Sequence, residues 1–181
     1  MMWDKATIRR AISEEIPALE RLIAASVRAL SVDYYSSAQI ESALVHVFGV
    51  DTQLIADGTY FVAELDGQIV GCGGWSKRKT LFGGDHAKAG EDNLLDPNTD
   101  PARIRAFFIH PDFARRGIGK QIIEACETAA QTAGFRQLEL AATLPGEPMY
   151  LAVGYQVLER WSHRLTDGVA LPLVRMGKEL T

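Results

Sequence analysis

The sequence predicts an α/β (α+β) chain in which about seven strands and about four helices share a single domain, residues 1–181. Three observations predict it. The run from Arg103 to Ala133 reads as strand, turn and amphipathic helix. Asp66-Gly67 and Asp167-Gly168 interrupt apolar stretches where hairpins turn. The length of 181 residues and the ordinary hydrophobic content suit one domain with a substantial core.

From the N-terminus, ATIRRA (Ala6–Ala11) is the first strand. Ser13 offers an N-cap, and Glu14 and Glu15 suit the positive end of a helix. Ile16, Leu19, Leu22, Ile23, Val27 and Leu30 give that helix its apolar stripe. SVDYYSS breaks the pattern, and a second helix begins near Ser37 with Ile40, Leu44, Val45 and Phe48. TYFVAELDGQIVGCGGWSKR then forms two antiparallel strands about Asp66-Gly67. Ile104, Ala106, Phe107, Phe108 and Ile109 make a fourth strand, stopped by Pro111, which cannot extend a ladder. A helix from about Gly119 to Ala133 buries Ile122, Ile123, Cys126 and Ala130. Gln137–Ala142 is a fifth strand, Gly154 ends a short helix, and YQVLERWSHRL and VALPLVRMGKEL complete the set. The order is β-α-α-β-β-β-α-β-α-β-β.

Ser76–Pro101 fits no periodic pattern, and loops of this length are usually functional or poorly ordered. Its Lys77-Arg78-Lys79 cluster either greets an acidic substrate or is a solvated charge run. Asp85 and His86 either reach an active site or decorate a mobile loop.

The most informative chemistry lies in ARRGIGK, between the fourth strand and its helix. A helix N-terminus presents unpaired N–H groups and a partial positive charge, so a phosphate is its natural ligand. Gly117 and Gly119 let a backbone approach that ligand, and Arg115, Arg116 and Lys120 reinforce the preference for an anion. A Walker loop is excluded, because Gln121 follows Lys120 where Ser or Thr is required. A dinucleotide fingerprint is excluded, because Ile122 stands where the third Gly belongs.

RRGIGK after FFIHP resembles motif A of the GNAT N-acetyltransferase superfamily, whose usual pattern is Q/R-x-x-G-x-G/A. Ala114 takes the first position, so one side-chain contribution is missing. Downstream, Tyr150, Gly154 and Tyr155 match that family's Y-x-x-x-G-F/Y, and Thr143 stands seven residues before Tyr150, where an Asn is common. The resemblance covers nearly the whole chain and implies the GNAT fold, a single mixed, mostly antiparallel twisted sheet. It also implies acetyl-CoA as acyl donor. Arg115, Arg116, Gly117, Ile118, Gly119 and Lys120 would hold its pyrophosphate. Phe107, Phe108 and Ile109 would present N–H donors from a splayed strand, Thr143 would meet the pantetheine arm, and Tyr150 would protonate the departing thiolate.

The implied reaction moves an acetyl group to a primary amine of a small molecule or peptide by direct attack in a ternary complex. Such an amine, with a pKa near ~10.4, must first lose a proton. His110, Glu64 and His163 are candidate bases. Two other readings stay open: a catalytically silent acyl-CoA-binding sensor, which the Ala114 and Thr143 departures keep open although the intact Tyr150 favours the enzyme, and a different nucleotide-phosphate binder.

A net charge of −4 argues against nucleic acid as a partner. No apolar run approaches the roughly 20 residues of a membrane span, and Met1–Ala11 lacks the apolar stretch of a signal peptide. Cys72 and Cys126 lie apart, outside any zinc or disulfide spacing, and read as small buried hydrophobes. No metal is expected, and the chain should be cytoplasmic. A homodimer is an allowed assembly.

Overall fold

Asp66 and Gly67 both adopt left-handed backbone angles, φ 51° and 77°, the geometry a two-residue hairpin turn demands. They join β2 (Tyr60–Leu65) to β3 (Gln68–Ser76). The computed structural model describes residues 5–88 and 90–181. Residues 1–4 of the Met1–Ala11 stretch, and Ala89 of the long loop, lie outside the described residues. The remaining strands are β1 (Thr7–Arg10), β4 (Ala102–Ile109), β5 (Gln137–Thr143), β6 (Gln156–Arg164) and β7 (Ala170–Glu179). They build one seven-stranded sheet in the order β1-β2-β3-β4-β5-β7-β6. Only β4 and β5 pair in parallel. A parallel pair needs a long crossover, which α4 (Ile118–Thr132) supplies.

Helices cover both faces of the sheet. On one face, Ile122, Ile123, Cys126 and Ala130 of α4 pack with Leu138, Leu140 and Ala142 of β5, as the sequence pattern predicts. On the other lie α1 (Ile16–Leu30), α2 (Ser37–His46) and α3 (Thr52–Ala56), over Tyr60, Val62 and Cys72. Alternate β2 residues serve the two faces: Tyr60 and Val62 one, Phe61 and Ala63 the other. A fifth helix, α5 (Glu147–Ala152), follows β5, and Gly154 at φ 98° ends that segment. Among the described residues no helix is long and apolar enough to cross a membrane.

Local details depart from the sequence reading. Ser13 caps nothing: it sits inside a 3-10 turn, and the Glu15 carboxylate instead accepts from the Ile12 N–H at 2.9 Å while pairing with Arg9. α2 does begin at Ser37, as the sequence pattern predicts, and Ser36 caps it by accepting from the Gln39 N–H at 3.1 Å. Phe48 lies beyond the end of α2, and Val45 is exposed. The short α3 is one helix more than the sequence predicts; its five residues are too few to show a stripe.

The long loop is tied down. Arg78 pairs with Asp57 at 2.7 Å, so its cluster is not simply a solvated charge run. Lys88 donates to Asp51 at 2.7 Å, and fully buried Asp51 also receives Arg105 of β4 at 3.0 Å. Arg105 further donates to the Thr80 carbonyl at 3.3 Å and to that of Gly83. Asp85 does not decorate a mobile loop; it accepts from the Thr52 N–H at 2.9 Å, at the start of α3.

Candidate active site

The site starts from a kink. Within β4, Ala106 takes φ 52°, and the register with β3 slips between Cys72 and Gly74. A left-handed Ala is costly and persists only where its surroundings hold it. Two neighbours do so. The Tyr60 hydroxyl donates to the Ala106 carbonyl at 2.7 Å, and Gly73 leaves room for the Phe107 ring, which a Cβ there would meet at 2.6 Å. Bulges of this kind bend a strand and end its pairing. β4 pairs with β5 only at Ala102–Leu138 and Arg103–Glu139. Beyond Arg103 the two strands part, leaving the β5-facing edge of residues 104–109 without a ladder partner.

A cavity of about 510 Å³ opens where they part. Phe107, Phe108 and Ile109 line it from β4, Thr143 from the end of β5, and Tyr150 from α5. Arg115 lines its other end. Of the sequence-predicted site residues, these six meet in one space. Burial pushes the Tyr150 hydroxyl well above the ordinary tyrosine range of about 10, with Cys126 adding to the shift. It therefore keeps its proton at any working pH. The Thr143 hydroxyl accepts from the Gly146 N–H at 3.2 Å and still has its own proton to donate.

The remaining predicted residues lie in the β4–α4 loop and the first turn of α4, outside the cavity lining. Gly117 is the N-cap of α4, left-handed at φ 77°, and supplies no side-chain cap. The first helical bond runs from the Gln121 N–H to the Gly117 carbonyl at 3.1 Å. The N–H groups of Ile118, Gly119 and Lys120 thus begin the helix uncapped, as an anion site requires. Arg115 is also left-handed, φ 62°, and such loops form concavities of N–H groups that suit anions. Arg115, Arg116 and Lys120 are exposed, and Arg116 stands 5.1 Å above the Phe113 ring. The Ile118 side chain is buried in the core, so only its backbone can face a ligand. Gly119 is buried too, and a Cβ there would lie 2.3 Å from the Met149 sulfur. Its missing side chain admits α5 against α4, a demand the sequence does not reveal.

The candidate bases scatter. His110 uses Nδ1 to accept from the Asp112 N–H at 3.2 Å, and Glu64 pairs with Arg9 at 2.8 Å; neither lines the cavity. His163 stacks edge-on against Phe82, centroids 4.8 Å apart, behind the wall Phe82 forms. Cys72 and Cys126 are buried free thiols, and burial pushes Cys72 up to about 12, far from a reactive thiolate. Sequence reasoning missed one wall of the cavity: Phe48 after α2, and Leu81 and Phe82 from the long loop.

The acetyltransferase (GNAT) domain family matches residues 56–157, from α3 through the start of β6. The chain belongs to the GNAT acetyltransferase family. It is accordingly an acetyltransferase, and the kinked β4, uncapped α4 and Tyr150 fall within the matched span. Solved structures share the fold of this GNAT domain. A GCN5-related N-acetyltransferase from Rhodopseudomonas palustris superposes with a TM-score of 0.75 at 23% identity, covering 99% of each chain. The PaiA N-acetyltransferase of Thermoplasma acidophilum, solved with coenzyme A, gives 0.65 at 16% identity, over 97% of this chain and 99% of that one. YncA of Salmonella typhimurium, a putative acetyltransferase solved with acetyl-CoA, gives 0.62 at 16% identity, over 98% and 95%. No curated protein matches the chain in sequence.

Proposed function

We propose that this protein transfers the acetyl group of acetyl-CoA to a primary amine by direct attack in a ternary complex. One observation carries the reading. A single cavity runs from Arg115, beside the uncapped start of α4, past the unpaired edge of β4 to Tyr150. That layout suits a long donor with an anionic end and a reactive thioester. The pyrophosphate takes the N–H groups of residues 117–120, with Arg115, Arg116 and Lys120 as counter-charges. The pantetheine arm runs between the parted strands past Thr143. The thioester carbonyl lies against the free edge of β4, where N–H donors stabilise the charge developing in the tetrahedral intermediate. Tyr150 then gives its proton to the leaving thiolate, whose pKa is near that of a cysteine, ~8.5, while the proton shed by the attacking amine passes to solvent, from which the Tyr150 hydroxyl is restored. Relatives of this fold solved with coenzyme A and acetyl-CoA support the choice of donor. The buried free cysteines suit a reducing, cytoplasmic setting.

Chemistry through the chain's own thiols is disfavoured by their burial, so attack by the amine on the thioester is the simpler course. The test pairs calorimetry of acetyl-CoA binding with free-thiol release across a panel of amines. Micromolar binding together with amine-dependent thiol release is the expected result. Binding without release for any amine would favour a silent acyl-CoA sensor, and absence of binding would remove the donor from the reading.

A further inference from the structure

Resting on the acetyl-transfer reading, we propose that the acceptor is a small arylalkylamine, a primary amine carrying one aromatic ring and a single positive charge. The cavity's acceptor side is aromatic and apolar. Phe48 and Phe108 meet edge to face at 5.9 Å, and Leu81 and Phe82 close the wall from the long loop. Phe82 itself packs against Trp161, at 6.0 Å, and His163, at 4.8 Å, neighbours on one face of β6. Its ring is therefore a fixed surface against which a flat ligand can stack, with edge or offset geometry.

Charge decides what that ligand carries. Among the described residues lining the cavity, three are charged: Asp33, Arg105 and Arg115. Arg105 pairs with Asp51 at 3.0 Å, and Lys88, which shares that carboxylate, also meets Asp92 at 3.5 Å, so the buried cluster balances its own charge; Arg115 belongs to the pyrophosphate end. One carboxylate, exposed Asp33 in the α1–α2 connection beside Tyr34, remains to attract a cation. A polyamine or an aminosugar with several ammonium groups would need several such partners, and would have to seat its other charges against rings. An acidic acceptor would meet Asp33 with like charge. A monoamine brings one ammonium past Asp33 and leaves an apolar body for the Phe48–Phe82 cleft. A peptide amine lacks that body unless its first side chain supplies it.

The experiment compares 2-phenylethylamine, spermidine and a short peptide with an N-terminal Ala, by free-thiol release at saturating acetyl-CoA. Calorimetry of 2-phenylethylamine and of 3-phenylpropanoate on the CoA-loaded protein runs alongside. The expected result is a kcat/KM for 2-phenylethylamine at least tenfold above the other two, and no binding of the acid. Phe82→Leu, which keeps apolar volume but removes the ring, and Phe82→Ala should each raise the KM for that amine, by roughly tenfold or more for Ala. Both should leave the calorimetric affinity for CoA within twofold, with melting curves confirming that they fold. Asp33→Asn should lower kcat/KM for the amine and reduce discrimination against the acid. Preference for spermidine or the peptide would overturn the proposal, as would an unchanged KM in folded Phe82→Ala. If CoA binds but 2-phenylethylamine neither reacts nor binds, the acceptor class falls while the donor assignment stands. If CoA itself fails to bind, the acetyl-transfer reading falls, and Phe82-dependent binding of the amine to the free protein decides the cleft separately.

Discussion

Replacing Tyr150 by Phe separates chemistry from packing, because the hydroxyl and the ring have different partners. The ring meets Phe107 at 6.2 Å and Tyr155 at 5.8 Å, both edge to face, and Phe keeps those contacts. Burial and nearby Cys126 account for the raised hydroxyl, with no hydrogen bond to it contributing. Its removal therefore strands no protein group, and stability should change by less than about 0.5 kcal/mol. In a chain of this size that corresponds to a melting shift of at most about 2 °C. Turnover should behave quite differently. A positioned general acid is worth roughly 10²–10⁴-fold, which is about 2.7–5.4 kcal/mol of barrier at 1.36 kcal/mol per tenfold. The KM for acetyl-CoA should move little, since the lost contact forms only as the thiolate departs. Thiol release at saturating acetyl-CoA, using the best amine acceptor, measures both quantities. The pH dependence adds a second constraint. Because burial raises the hydroxyl, its proton is retained throughout the neutral range, and any limb from its loss lies above the ordinary value of about 10. The ratio of wild-type to Phe turnover should then be flat from about pH 7 to 9. Equal turnover in both proteins at every pH would refute the acid role. A ratio that collapses below pH 9 would refute its protonation by burial.

Three further outcomes test the frame around the site. Ile122 is fully buried, so Ile122→Ala should cost on the order of 2–5 kcal/mol, read as a lowered denaturation midpoint; a cost below about half a kcal/mol would mean that α4 packs through another face. Gly119→Val should loosen the contact with Met149, lowering both stability and turnover, whereas Gly117→Ala meets open space and suffers only the strain of a left-handed Ala, about 1–2 kcal/mol. If the two variants melt alike, the tight α4–α5 approach is not what Gly119 secures. The Arg78 guanidinium holds the Asp57 carboxyl below its usual range, so the pair's stabilisation is present above about pH 4 and is lost as pH falls through the depressed value. Asp57→Asn should thus lower the melting temperature at pH 7 and narrow its gap to wild type near pH 3, and a gap that widens in acid would contradict the pairing.

Periodicity and turn chemistry made most of the frame legible. The left-handed pair Asp66-Gly67, the stripe from Ile122 to Ala130 and the stop at Gly154 are local signals, and the structure carries each of them. The uncapped start of α4 was legible for the same reason: glycines, arginines and a helix start stand adjacent in the chain. The far wall of the cavity was not. Phe48, Phe82 and Asp33 come from three connections, and nothing in the sequence between them signals that they share a cavity. The kink at Ala106 was equally hidden, since an Ala carries no mark of a left-handed conformation, and its causes at Tyr60 and Gly73 lie more than thirty residues away. Asp51 carried no signal in the sequence either: one oxygen caps α3 by accepting from the Gln53 N–H, and the other meets Arg105.

That carboxylate has a kinetic consequence. Asp51 holds Arg105 and Lys88 together in the interior, and Arg105 in turn grips the backbone at Thr80 and Gly83, either side of Phe82. The wall is therefore built before any ligand arrives. An arriving molecule need not order twenty-odd residues of chain, a cost that otherwise lowers affinity and slows association. The tether is also shielded from counter-ions, which screen exposed charges but reach buried ones poorly. Binding of the acceptor should then be single-exponential, with an observed rate that rises linearly with its concentration and no slower second phase, and the free and occupied wall should superpose. Raising the salt from low to physiological strength should alter the attraction exerted by Asp33 at the rim and leave the shape of the cleft behind it unchanged.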